Sequence, residues 1–136
     1  MILVDAGPLI AAGDRDAHNH DECLEAVVAA RPPRYVPGTV VAEVCYLLAR
    51  AAGTQAEAQF LDLLGSGFLS PVDLTPEDYQ RAAQLVRRYA DLPLGGVDAS
   101  LVAVAERLGI AELVTLDMRH FTVVRPNHVE AFRLSP

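Results

Sequence analysis

The sequence has no lysine: all eleven basic residues are arginine, against 18 aspartates and glutamates, for a formal charge of −7. That absence removes two acidic-site α/β classes, receiver domains and phosphatases with an N-terminal aspartate nucleophile, since both rely on a lysine. The missing positive balance argues against passive coating of nucleic acid, which requires a basic footprint. Cysteine is scarce. Cys23 and Cys45 both fall in helical patterns and offer neither a bridge framework nor metal spacing, so they read as small, reduced core residues. Although 51% of the residues are hydrophobic, no apolar run approaches the ~20 residues of a membrane helix. No basic segment precedes the first apolar run, which excludes a signal peptide and makes the cytoplasm the expected compartment. A glycine-rich phosphate loop is also missing from the first strand-to-helix turn, which counts against a nucleotide-binding domain.

What remains is one domain of 136 residues, 1–136, with strands alternating with helices. The first stretch organises the rest. Ile2, Leu3 and Val4 form an apolar run without alternation, as expected of a strand covered on both faces, and it stops at Asp5 before Gly7 and Pro8 open a short helix over Leu9 to Ala12. The polar segment DRDAHNHDEC contains His18, His20 and Cys23, but residues two apart do not share a helix face and no second ligand pair follows, so it reads as a solvated loop entering a helix. That helix covers Asp21 to Ala30 with Leu24, Val27 and Val28 as its stripe, and Pro32 and Pro33 end it.

Tyr35 and Val36 make the next strand, and Thr39 is a good cap for a helix that ends at Gly53 and is apolar over most of its surface. Glu43 lies inside that apolar run, where a carboxylate is costly unless paired, for instance with Arg50, or bound to metal. A helix over Thr54 to Leu64 shows Ala58, Leu61 and Leu64 on one side, followed by a strand over Phe68 to Leu74. Thr75 caps a long, conventional amphipathic helix. In GVDASLVAVAERLG, Asp98 shares a face with Leu101, Val102 and Ala105, so it points to the apolar side. Leu113 to Leu116 form a strand ending at Asp117, Met118 to Phe121 a turn, and Thr122 to Val124 a final short strand; the tail after Pro126 carries no signal.

A parallel sheet with right-handed crossovers puts all strand carboxyl ends on one edge. Asp5 and Asp117 end strands, while Glu43 and Asp98 sit in early turns of helices leaving that edge. Capping accounts for each acid singly, but not for carboxylates on apolar faces. A hard divalent cation, Mg²⁺ or Mn²⁺, does account for them, because such ions prefer carboxylate oxygen.

The segments VDAGPLIA, VVAEVCYLL, GGVDASLVAVAERLG and VTLDMRHF occur in the order and spacing of PIN domains, and over nearly its whole length the chain resembles the VapC toxin ribonucleases. The resemblance implies a three-layer α/β/α domain with a five-stranded parallel sheet, and acidic metal-binding residues at Asp5, Glu43, Asp98 and Asp117. It also implies an RNA substrate, a partner antitoxin and a homodimer. Gly7 stands where many relatives carry serine or threonine, which leaves an alternative reading, a catalytically inactive PIN-like binding module that only recruits a partner. Water activated by the ion would make a protein nucleophile unnecessary and leave a 5′-phosphate and a 3′-hydroxyl. Thr115 is expected to orient Asp117, and Arg119 to contact the phosphate backbone.

Overall fold

A computed structural model describes all residues, 1–136. The elements run β1 (Ile2–Val4), α1 (Ala6–Gly13), α2 (His20–Ala29), β2 (Arg34–Pro37), α3 (Gly38–Ala52), α4 (Thr54–Gly65), β3 (Ser70–Val72), α5 (Pro76–Arg88), α6 (Gly96–Leu108), β4 (Glu112–Val114), α7 (Met118–Phe121) and β5 (Arg133–Ser135). The five strands form one sheet in the order β3-β2-β1-β4-β5, and every pairing is parallel. Helices α1 to α4 pack against one another as one group and α5 packs on α6 as another, giving the three layers expected. β1 lies at the centre, and Ile2, Leu3 and Val4 are all buried, as the unalternated run requires.

Register on β1 sets the site. Leu3 pairs with Leu113 and Val4 with Val114, and the ladder continues as Asp5 N–H donates to Val114 O at 2.9 Å. Asp5 and Thr115, more than a hundred positions apart in sequence, are thus adjacent at the carboxyl edge. α6 runs beside them with Ala99 to Ala105 all buried, so its first turn is held by the core. α3 is tied to α6 by Thr39 Oγ1 and Ser100 Oγ, 2.6 Å apart, and Ser100 Oγ in turn donates to Val97 O.

Several expectations need correction. The last strand is β5 at Arg133–Ser135, not Thr122 to Val124, which turns away from the sheet; β5 docks on β4 through Arg133 N–H to Ala111 O and Thr115 N–H to Ser135 O. Thr39 makes no capping bond, because α3 begins one residue earlier at Gly38 and the hydroxyl is committed to Ser100. α3 is also less buried than its composition implies: Val40, Val44 and Leu48 face the core while Tyr46 and Leu47 are exposed. On α4 Phe60 is buried and Leu64 packs against the core as expected, but Ala58 and Leu61 are exposed. On α2 the inward residues are Cys23 and Val27, and Leu24 and Val28 lie outside. Leu24 and Val28, with Leu63 of α4, border an apolar hollow of about 350 Å³ between α1, α2 and α4.

Candidate metal centre

Asp5 caps α1 from the end of β1: its Oδ1 accepts from Ala6 N–H at 2.7 Å and its Oδ2 from Thr115 Oγ1 at 2.8 Å. The side chain is buried, and burial pushes its pKa up to about 6, against the pull of those two hydrogen bonds and helped by the nearby charges of Asp98 and Glu43. Thr115, wholly buried at the end of β4, also accepts from Asp117 N–H at 3.0 Å. One hydroxyl therefore fixes both Asp5 and the backbone that carries Asp117.

Asp98 enters from the first turn of α6, half-buried, and its pKa is raised, first by burial and also by Asp117, against the hydrogen bond from His120. Glu43, one turn into α3, is likewise raised by burial and by Asp98. The alternative open to Glu43, a pairing with Arg50, does not form, since the Arg50 guanidinium donates to Tyr46 Oη instead. Asp117 caps α7, its Oδ1 accepting from His120 N–H at 2.9 Å.

The charges of Asp98 and Glu43 act on Asp5, that of Asp98 on Glu43 and that of Asp117 on Asp98, so the four acids from distant segments lie within electrostatic reach of one another, with Asp98 and Asp117 the two whose oxygens approach most closely. No arginine joins them. The arginine ion pairs, Arg81 with Glu106, Arg107 with Asp78 and Arg133 with Glu112, all lie elsewhere. Arg119 is exposed on α7 and makes no ion pair. Sequence reasoning passed over His120, whose Nδ1 lies 2.9 Å from Asp98 Oδ2 and 2.8 Å from Asp117 Oδ2. The signal available was its place one helical turn after Asp117 in VTLDMRHF. His20 plays no such part; its Nδ1 bonds to Ala11 O.

At Gly7 an added Cβ would meet only the Leu116 side chain, at 3.4 Å and beyond, which is ordinary contact. A hydroxyl at that position is not needed to support Asp5, because Thr115 does so from β4. The donor set suits a hard divalent ion: carboxylates from four segments, that of Asp5 held by Thr115, with proton affinity raised at Asp5, Glu43 and Asp98 and no arginine to neutralise them. Asp5 lies at the buried end of the cluster, while Asp98 and Asp117 keep 21% and 32% of their side chains exposed, so the cluster reaches solvent on their side.

The family pattern described as PIN domain matches residues 2–125. Ribonuclease VapC26 of Mycobacterium tuberculosis is 31% identical over 125 residues, covering 92% of this chain and 93% of that protein. The crystal structure of VapC20 from the same organism, titled as a sarcin–ricin loop cleaving toxin, superposes with a TM-score of 0.85 over 96% of this chain and 99% of its own, at 22% identity, which establishes likeness of fold.

Proposed function

The chain belongs to the PIN-domain family, and from that premise we propose that it is a divalent-metal-dependent endoribonuclease, the toxin of a toxin–antitoxin pair. The single observation that carries the reading is the convergence of Asp5, Glu43, Asp98 and Asp117 on one sheet edge with no arginine counter-charge. An unused cluster of this kind would cost stability, because like charges at reduced dielectric repel.

In this reading the four acids would hold Mg²⁺ or Mn²⁺, which when bound would supply Lewis-acid polarisation of the scissile phosphate and a water of lowered pKa. The chain's own residues supply position. Thr115 locks the Asp5 carboxylate and the Asp117 backbone, so the inner wall of the site has little to reorganise as charge develops. The N-terminus of α6 directs its dipole at the same place and favours an anion there. Arg119, exposed beside the cluster on α7, contacts the phosphate backbone and so sets register, not sequence. The acids themselves repel RNA until a cation offsets them.

The proposed partners are RNA, a cognate antitoxin that presents a basic residue to the acids in place of the ion, and a second copy of the chain. The exposed apolar residues Leu24, Val28, Leu61, Leu63, Tyr79 and Val86 support association of this kind. The expected compartment is the cytoplasm, and no helix is long and apolar enough to cross a membrane.

Incubation with a mixed RNA pool tests the reading. Cleavage with Mg²⁺ or Mn²⁺ that leaves 5′-phosphate ends and stops with EDTA or with Asp98→Asn is expected; full cleavage in excess EDTA overturns it. In a complex with the antitoxin, alanine at the partner's inserted basic residue should weaken inhibition, and an unchanged inhibition constant counts against the masking mechanism.

A further inference from the structure

We propose that His120 is itself a ligand, so that the ion site combines His120 Nδ1 with Asp98 Oδ2 and Asp117 Oδ2 and is not built of carboxylates alone. This rests on the divalent-metal reading above and adds a donor to it.

Geometry carries the argument. The three atoms lie within 4.8 Å of one another, and the imidazole nitrogen is 2.9 Å from one oxygen and 2.8 Å from the other. Neighbouring ligands on an octahedral ion with bonds of about 2.1 Å are about 3 Å apart, so His120 Nδ1 already stands at the edge spacing of such a shell from each of the two oxygens. A proton serves the same arrangement poorly. Nδ1 carries at most one hydrogen and bonds through it to Asp98 Oδ2, while Asp117 Oδ2 lies at contact distance without a hydrogen bond to the ring. A cation between the three satisfies all of them together.

The ring is presented by the fold. Asp117 Oδ1 accepts from the His120 backbone N–H, and Phe121 is buried next to it, packed edge-on against Phe132. α7 therefore has little freedom to swing the imidazole away. With no arginine at the cluster, His120 is also its one nitrogen donor. Imidazole nitrogen suits first-row transition ions better than Mg²⁺, so the site should prefer Mn²⁺ to Mg²⁺.

Pulsed electron paramagnetic resonance on the full chain loaded with Mn²⁺ alone decides the point. The expected result is ¹⁴N modulation from a directly bound imidazole, replaced by a ¹⁵N pattern when histidine is ¹⁵N-labelled and lost in His120→Gln. The Mn²⁺ over Mg²⁺ preference should shrink roughly tenfold in that variant. His120→Asn is a second variant should the first fold poorly, and the labelled parent separates imidazole from backbone nitrogen with no substitution at all. Bound Mn²⁺ without nitrogen coupling, coupling that survives at residue 120 as glutamine, or no Mn²⁺ binding overturns the assignment. Mg²⁺-dependent RNA cleavage by the same preparation reports on the ribonuclease reading separately. Cleavage without nitrogen coupling sinks the ligand assignment alone, and coupling without cleavage sinks the ribonuclease reading alone.

Discussion

Asp5 is the residue on which burial and charge conflict most. Its folded pKa, about 6, lies above the ordinary 3.8, so the folded protein binds the proton more tightly than the unfolded chain does. Stability from this group is complete below about pH 4 and is lost as pH rises through about 6, a change of about 3 kcal/mol by linkage. In EDTA, the gap in melting temperature between Asp5→Asn and the parent should therefore widen in favour of the variant from pH 4 to pH 7. A gap that stays constant across that range would show that Asp5 titrates normally. Thr115→Val offers a second residue-scale test. An ordinary β-branched strand position accepts valine, whereas this one would leave a buried carboxylate and the Asp117 N–H short of a partner, at about 1 to 3 kcal/mol. Because both residues share one bond, the cost in an Asp5→Asn background should be smaller, as a double-mutant cycle on denaturation would reveal.

At the scale of elements, what could be read from the sequence was what local chemistry dictates. The centre of β1 announced itself by an unbroken apolar run, α5 by Thr75, Pro76 and an acidic first turn, and Asp98 by its spacing to Leu101 and Val102. β5 was missed because an edge strand of three residues has no periodicity to read, and its pairing with β4 depends on the turn after α7. The inward faces of α2 and α4 were misjudged for a related reason: apolar residues cover more of each helix than the core needs, so the surplus of leucine and valine hides the phase. The spacing of His120 from Asp117 was there to be read, but its contact with Asp98 was legible only once α7 had set the ring against α6. β5 also carries a prediction. Removing residues 127–136 strips the Thr115 and Arg133 ladder bonds and uncovers Phe121, a loss of several kcal/mol that should lower the melting temperature by about 10 °C or more. Nuclease activity should fall with it, since Thr115 and α7 lose their support. By contrast Gly7→Ala, with room for its methyl group and a helical backbone, should stabilise by roughly 0.5 to 1 kcal/mol; a drop in melting temperature would mean that Leu116 cannot yield.

The whole molecule is acidic, with a charge of −7, and its site acids lie where it is proposed to meet a polyanion. RNA capture should accordingly be conditional on the ion. In EDTA at about 0.15 M salt a gel-shift assay should show no retained RNA, and Mn²⁺ should restore retention even in a variant too slow to cleave. Retention that is strong in EDTA would locate the RNA on some other face.

The central position of β1 has a consequence in time. A ribosome makes Asp5 more than a hundred residues before the β4 strand that flanks it and the hydroxyl that fixes it, Thr115, and Asp117 and His120 come later still. Pairing over so long a separation is slow to form. A nascent chain therefore carries the opening piece of an RNA-cutting centre past the messenger that encodes it, and past the ribosome itself, with no means of using it. The closing piece arrives with β4 and α7, so that synthesis of the enzyme is sheltered from its product.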